Sequence, residues 1–122
     1  MLIATWNVNS IRTRLSQVKD FLTKTQAELL CLQETKVQDH LFPSKDFLDM
    51  GYRVQFQGQK SYNGVAFISK RKLFDVKLGF KGELVEEDNI DDLEEQKRVI
   101  SGVLDGIRIV NVYVPNGSSV GS

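Results

Sequence analysis

Leu2-Ile3-Ala4-Thr5-Trp6, then Ile11, Leu15, Val18 and Leu22 at intervals of four, three and four, then Ala27-Glu28-Leu29-Leu30-Cys31-Leu32-Gln33: this opening stretch decides the fold. The first run is short, apolar and β-prone, and it stops at Asn7-Val8-Asn9-Ser10. The spaced residues trace the stripe of an amphipathic helix, for which Asn9 or Ser10 is a suitable N-cap. The last run reads as a buried strand that gives way to the polar Glu34-Thr35-Lys36. Strand, helix and strand within about thirty residues form a βαβ unit, with parallel strands and a right-handed crossover. Asn7 and Glu34 then emerge at the same edge of the sheet, where ligands collect in α/β folds.

The same reading continues downstream. Residues 43–50 predict a short helix ended by Gly51, and residues 52–56, 64–69 and 73–78 predict strands. Residues 98–104 and 107–114 surround Asp105-Gly106, a strong hairpin signal. Between them, residues 83–95 hold eight acids and no Lys or Arg, which predicts an exposed loop. That segment hides an asymmetry, because the whole chain balances 16 basic against 16 acidic residues. Elsewhere the 16 basic residues face only eight acids, a surplus that suits a polyanionic partner and equally a surface that is merely soluble.

Several function classes drop out. No run approaches the ~18 apolar residues of a membrane span. Gly-rich phosphate loops, zinc-type Cys/His spacing and a Ser-His-Asp arrangement are absent. The N-terminus reads as a strand rather than a signal peptide. Cys31, the single cysteine, reads as a buried structural thiol, so a reducing cytoplasm is the expected compartment. His40 lies in a polar loop with nothing to orient it.

Three clusters bear on chemistry. Asn7-Val8-Asn9-Ser10-Ile11-Arg12 is either a strand end with turn and capping residues or a donor set for phosphate or metal-bound water. Glu34 follows a buried run, so its carboxylate needs a partner. A hard divalent cation would serve, since Mg²⁺ uses only one or two carboxylates, and so would a salt bridge to Lys36. Asn111-Val112-Tyr113-Val114-Pro115-Asn116-Gly117 ends a strand, where Tyr113 either packs or reaches outward.

Taken with Gln33-Glu34-Thr35-Lys36, Gly51-Tyr52 and Asn63-Gly64-Val65-Ala66, these clusters resemble, in order and spacing, the exonuclease III-type abasic-site endonucleases of the endonuclease/exonuclease/phosphatase superfamily. The resemblance implies an α/β fold: the N-terminal half of a four-layer α/β sandwich, a mixed sheet with flanking helices, over residues 1–122. It implies a metal-dependent nuclease acting on double-stranded DNA at abasic sites and from 3′ ends, with Mg²⁺ or Mn²⁺ as cofactor and a monomeric parent. Glu34 and Asn7 would belong to the metal site, and Tyr113 and Asn116 would be catalytic. Asn9, Arg12 and Lys36 would bind substrate, Asn9 standing where some relatives have an aspartate.

The family's later motifs are an Asp-x-Asn pair, a further aspartate and an Asp-His pair, and they would lie beyond Ser122. The chain is therefore expected to be truncated and inactive alone. With the second sheet largely missing, the inner face of the first is expected to be bare. The alternatives are another metal-dependent phosphodiesterase of the superfamily and a non-catalytic nucleic-acid-binding half-domain.

Overall fold

In the computed structural model, residues 1–58, 64–78 and 99–113 are described. The opening unit forms as its periodicity predicts: β1 (Ile3–Asn7), α1 (Leu15–Thr25) and β2 (Leu29–Gln33), with β1 and β2 parallel and Asn7 opposite Gln33. The helix proper starts four residues later than the apolar stripe. Its N-cap is Arg14, without a side-chain cap, while Ser10 closes the preceding turn by accepting the Thr13 N–H at 3.3 Å. Ser10 thus caps a turn rather than the helix.

A short helix α2 (Ser44–Asp49) and strands β3 (Arg53–Gly58) and β4 (Gly64–Ser69) complete the first sheet, in the order β1-β2-β4-β3. Gly51 follows α2 with φ +89, a left-handed position that glycine takes at no steric cost. β5 (Phe74–Leu78), β6 (Val99–Leu104) and β7 (Ile107–Val112) form an antiparallel second sheet. Asp105 and Gly106 both have positive φ, as a type I′ hairpin turn requires. The acidic residues 83–95 lie outside the described residues.

β2 and β4 are buried on both faces, and the period of two sorts their side chains. Leu30, Leu32, Ala66 and Ile68 face α1 and α2 and pack with Val18, Leu22 and Phe47. Trp6 meets Phe21 of α1 edge-on at 5.8 Å between ring centroids, which fixes the helix over β1. Leu29, Cys31, Val65 and Phe67 face the other way, onto Leu73, Ile100 and Leu104 of the second layer. The inner face is therefore not bare over β2 and β4, which corrects the expectation above. Three strands of the second sheet come from this chain and cover it there, while Ile3 of β1, on the same face, stays 42% exposed.

Arg71 joins the layers at the edge remote from Glu34. Its guanidinium grips the Asp105 carboxylate at 2.8 and 2.9 Å and reaches Glu28 at 3.2 Å. The hydrogen bonds from Arg71 hold the Asp105 carboxyl below its ordinary range.

Burial pushes the Cys31 thiol up to about 11. At pH 8 only about one molecule in a thousand would then carry the thiolate that reacts. Folded protein is expected to leave Cys31 unlabelled by an aromatic disulfide reagent at pH 8, and one equivalent should react in denaturant. Rapid stoichiometric labelling without denaturant would mean that the two layers are not closed over Cys31.

Candidate functional site

The parallel pairing of β1 and β2 brings two loops out side by side, and backbone hydrogen bonds stitch them together. Val8, Ser10 and Ile11 donate to the carbonyls of Gln33, Glu34 and Thr35 at 3.0, 2.8 and 3.0 Å. Successive carbonyls in a strand point to opposite neighbours, so three in a row turned toward one loop require a break in the alternation. That break is visible in the backbone. Glu34 and Lys36 have φ of +56 and +58, and Asn9 and Ser10 across from them have +47 and +99. Non-glycine residues seldom adopt this region, and each costs on the order of 1 kcal/mol or more. Four of the seven such residues among those described lie in this one patch.

The geometry turns five polar side chains to a common place. Tyr113, just past the end of β7, donates its hydroxyl to Glu34 Oε2 at 3.3 Å. Lys36 Nζ donates to Asn9 Oδ1 at 2.6 Å and stands 3.9 Å from Glu34 Oε2. The Asn9 N–H in turn donates to Asn7 Oδ1 at 3.2 Å. Glu34, Lys36, Asn9, Asn7 and Tyr113 therefore form one connected set. The Lys36 ammonium is bonded more closely to Asn9 than to Glu34, so the ion pair is a loose one.

Arg12 stands apart. Its guanidinium donates to the Leu41 carbonyl at 3.3 Å, beside the 3-10 turn Asp39–Leu41, and no described contact links it to Glu34. Asn116 lies outside the described residues. His40 is exposed, as its loop position predicts.

Among the described residues no three His, Cys, Asp or Glu side chains gather as a metal cluster. The donor set nevertheless fits Mg²⁺, which commonly takes one carboxylate, with waters and phosphate filling the rest. Glu34 is only about one-fifth exposed, and among the described residues both of its contacts fall on Oε2. None of these contacts falls on Oε1.

A further network went unread in the sequence. Asn111 of β7 is buried between the layers, donating to the carbonyls of Leu32 (3.1 Å) and Ala66 (2.8 Å) and accepting from Gln33 Nε2 at 2.9 Å. Gln33 also donates to Thr5 Oγ1 at 2.8 Å. The signal was available: alternation from Ile107 and Ile109 puts Asn111 on the inward face.

Two stacked sheets, with a polar constellation where parallel strands end, define an α/β protein that gathers polar side chains on its strand-end loops. The model of the Endonuclease/Exonuclease/phosphatase family matches residues 4–114, and the chain belongs to that family. It is 32% identical to exodeoxyribonuclease III of Haemophilus influenzae over 98% of its own length and 43% of that protein. A 3′-5′ exonuclease from Neisseria meningitidis superposes with a TM-score of 0.83 at 39% identity, over 96% of this chain and 43% of that one. An AP endonuclease from Archaeoglobus fulgidus superposes with a TM-score of 0.82 at 42% identity, over 96% of this chain and 42% of that one. The chain thus spans less than half the length of each of these relatives.

Proposed function

We propose that this chain is the N-terminal half of a Mg²⁺-dependent DNA-repair nuclease that hydrolyses phosphodiester bonds at abasic sites and from 3′ ends. The observation that carries the reading is the largely buried Glu34 carboxylate at a strand end, hydrogen-bonded by Tyr113 and held on a left-handed backbone between two stitched loops. The names of the relatives, exonucleases and abasic-site endonucleases, support the same substrate class.

In this reading Glu34 and Asn7 hold the cation. Asn7 Oδ1 already accepts the Asn9 N–H, which leaves it one lone pair that a cation would take and an amide N–H that would serve a phosphate. When bound, the ion would neutralise phosphate charge and favour in-line attack by water. Lys36 and Asn9 would offer a cation and an amide to the phosphate, and Arg12, which stands apart on the Leu41 carbonyl, is assigned to DNA farther along the strand. Tyr113 presents its hydroxyl beside the carboxylate, and Asn116 is assigned to the same pocket. The group that activates water is assigned to the other half of the protein.

A duplex carrying one abasic site tests the reading. The full-length protein is expected to nick it with Mg²⁺ and to lose that activity in EDTA, whereas the 122-residue chain alone should be inactive. Absence of cleavage by the full-length protein, with Mg²⁺ or Mn²⁺, would overturn the nuclease reading. Cleavage by the short chain that disappears in its Glu34→Ala variant would overturn its incompleteness.

A further inference from the structure

Asn111 is a polar side chain in a place that packing alone would give to an apolar one. It is 2% exposed, on the inward face of β7, with Ile109 two residues before it in the apolar layer between the sheets. Both of its amide protons and its carbonyl oxygen are engaged, all with the facing sheet. Its two carbonyl partners, Leu32 and Ala66, lie directly opposite one another in the β2–β4 pairing. One amide thus grips both strands of a single rung, and through Gln33 it reaches Thr5 on β1 as well.

The rung lies two residues before Glu34 on β2. Tyr113 lies two residues after Asn111 on the chain of β7, so both leave on the same face. The grip is therefore equidistant in sequence from the two partners of the Tyr113–Glu34 hydrogen bond. Those partners are 79 residues apart in the chain, and no backbone hydrogen bond runs between β2 and β7. Apolar packing tolerates sliding of one layer over another, whereas two donors and an acceptor on fixed partners do not. A slip of β7 by one residue would put Val110 or Val112 against the two carbonyls and turn Tyr113 to the opposite face.

We propose that Asn111 is a positioning residue: it sets the register of β7 against β2 and thereby holds the Tyr113 hydroxyl on the Glu34 carboxylate. This rests on the reading of Glu34 and Tyr113 as parts of the nuclease site. An aspartate at 111 could not replace it, since its carboxylate would face two carbonyl oxygens without a proton to donate.

A double-mutant cycle in the full-length protein tests the assignment, using Asn111→Leu, which keeps the volume, and Tyr113→Phe. Asn111→Leu is expected to lower kcat on an abasic-site duplex by on the order of tenfold to a hundredfold, with KM little changed. In the Tyr113→Phe background the same substitution should cost less than about twofold, because the hydroxyl it positions is already gone. Calorimetric titration should give Mg²⁺ affinities within about twofold for the parent and Asn111→Leu, since Glu34 itself remains.

Effects on kcat that multiply in the double variant would overturn the assignment and leave Asn111 a structural residue. So would a kcat unaltered in Asn111→Leu. Should Asn111→Leu fail to fold, Asn111→Ser, which keeps one donor, carries the same cycle with the same criteria. A parent that neither cuts the duplex nor binds Mg²⁺ would overturn the nuclease reading, and this assignment with it.

Discussion

Glu34→Gln in the full-length protein is expected to lower kcat/KM on an abasic-site duplex by on the order of a hundredfold at low Mg²⁺. Raised Mg²⁺ should return part of the loss. An amide oxygen can still coordinate but brings no charge to hold a hard cation, so the midpoint of the rate against Mg²⁺ should move to higher concentration. The alternative treats Glu34 as the ion-pair partner of Lys36. At 3.9 Å, with both side chains partly exposed, that pair contributes at most about 1 kcal/mol. Glu34→Gln would then change stability modestly and leave the Mg²⁺ midpoint in place. One titration of parent and variant separates the two, and coincident curves would remove Glu34 from the site.

The largest effect on stability is expected at Gly64, the first residue of β4. Its φ is +136, a conformation that side chains with a Cβ rarely adopt, and a Cβ there would sit 2.1 Å from Thr35 Oγ1. Thr35 is itself buried, and its N–H donates to the Gly64 carbonyl at 3.2 Å, so neither segment has room to retreat. Strain and overpacking together predict that Gly64→Ala costs about 3 kcal/mol or more. Because Thr35 follows Glu34 directly, activity should fall along with stability. Chemical denaturation of Gly64→Ala, alone and combined with Thr35→Ala, would measure it. The pair should recover part of the loss by removing the oxygen that the new methyl meets. A Gly64→Ala protein as stable as the parent would mean that the two loops are not packed this closely.

Much of this arrangement was legible in the residues. The spacing of Val18 and Leu22 gave the helix its buried face, and the run through Leu32 gave the central strand. Parallel pairing then required Asn7 and Glu34 to emerge together, which they do. Besides the helix N-cap, two readings failed for identifiable reasons. Residues 73–78 and 98–114 were recognised as strands, yet the inner face of the first sheet was expected to be bare. Strand periodicity does not say which sheet a strand joins, and these strands build the second layer. Asn111 was read with the strand-end cluster and given no role of its own. Its importance comes from Leu32 and Ala66, 79 and 45 residues away in the chain, and no local pattern connects them. The loop conformations were equally hidden, because Glu34 and Lys36 are not residues that favour positive φ. Tertiary hydrogen bonds impose it on them.

The stitched loops also set an order in time. Everything that fixes the backbone of Glu34 on the β1 side lies within the first 35 residues, in one βαβ unit of short sequence separation. Its tyrosine partner comes 79 residues later. Contacts between near neighbours in sequence form early, and those that close long loops form late. During synthesis the carboxylate loop would be shaped while the chain beyond it was still being made, at about 5–20 residues per second. The site is thus expected to mature in two stages, the Glu34 loop first and the Tyr113 hydroxyl several seconds afterwards, when the β6–β7 hairpin docks.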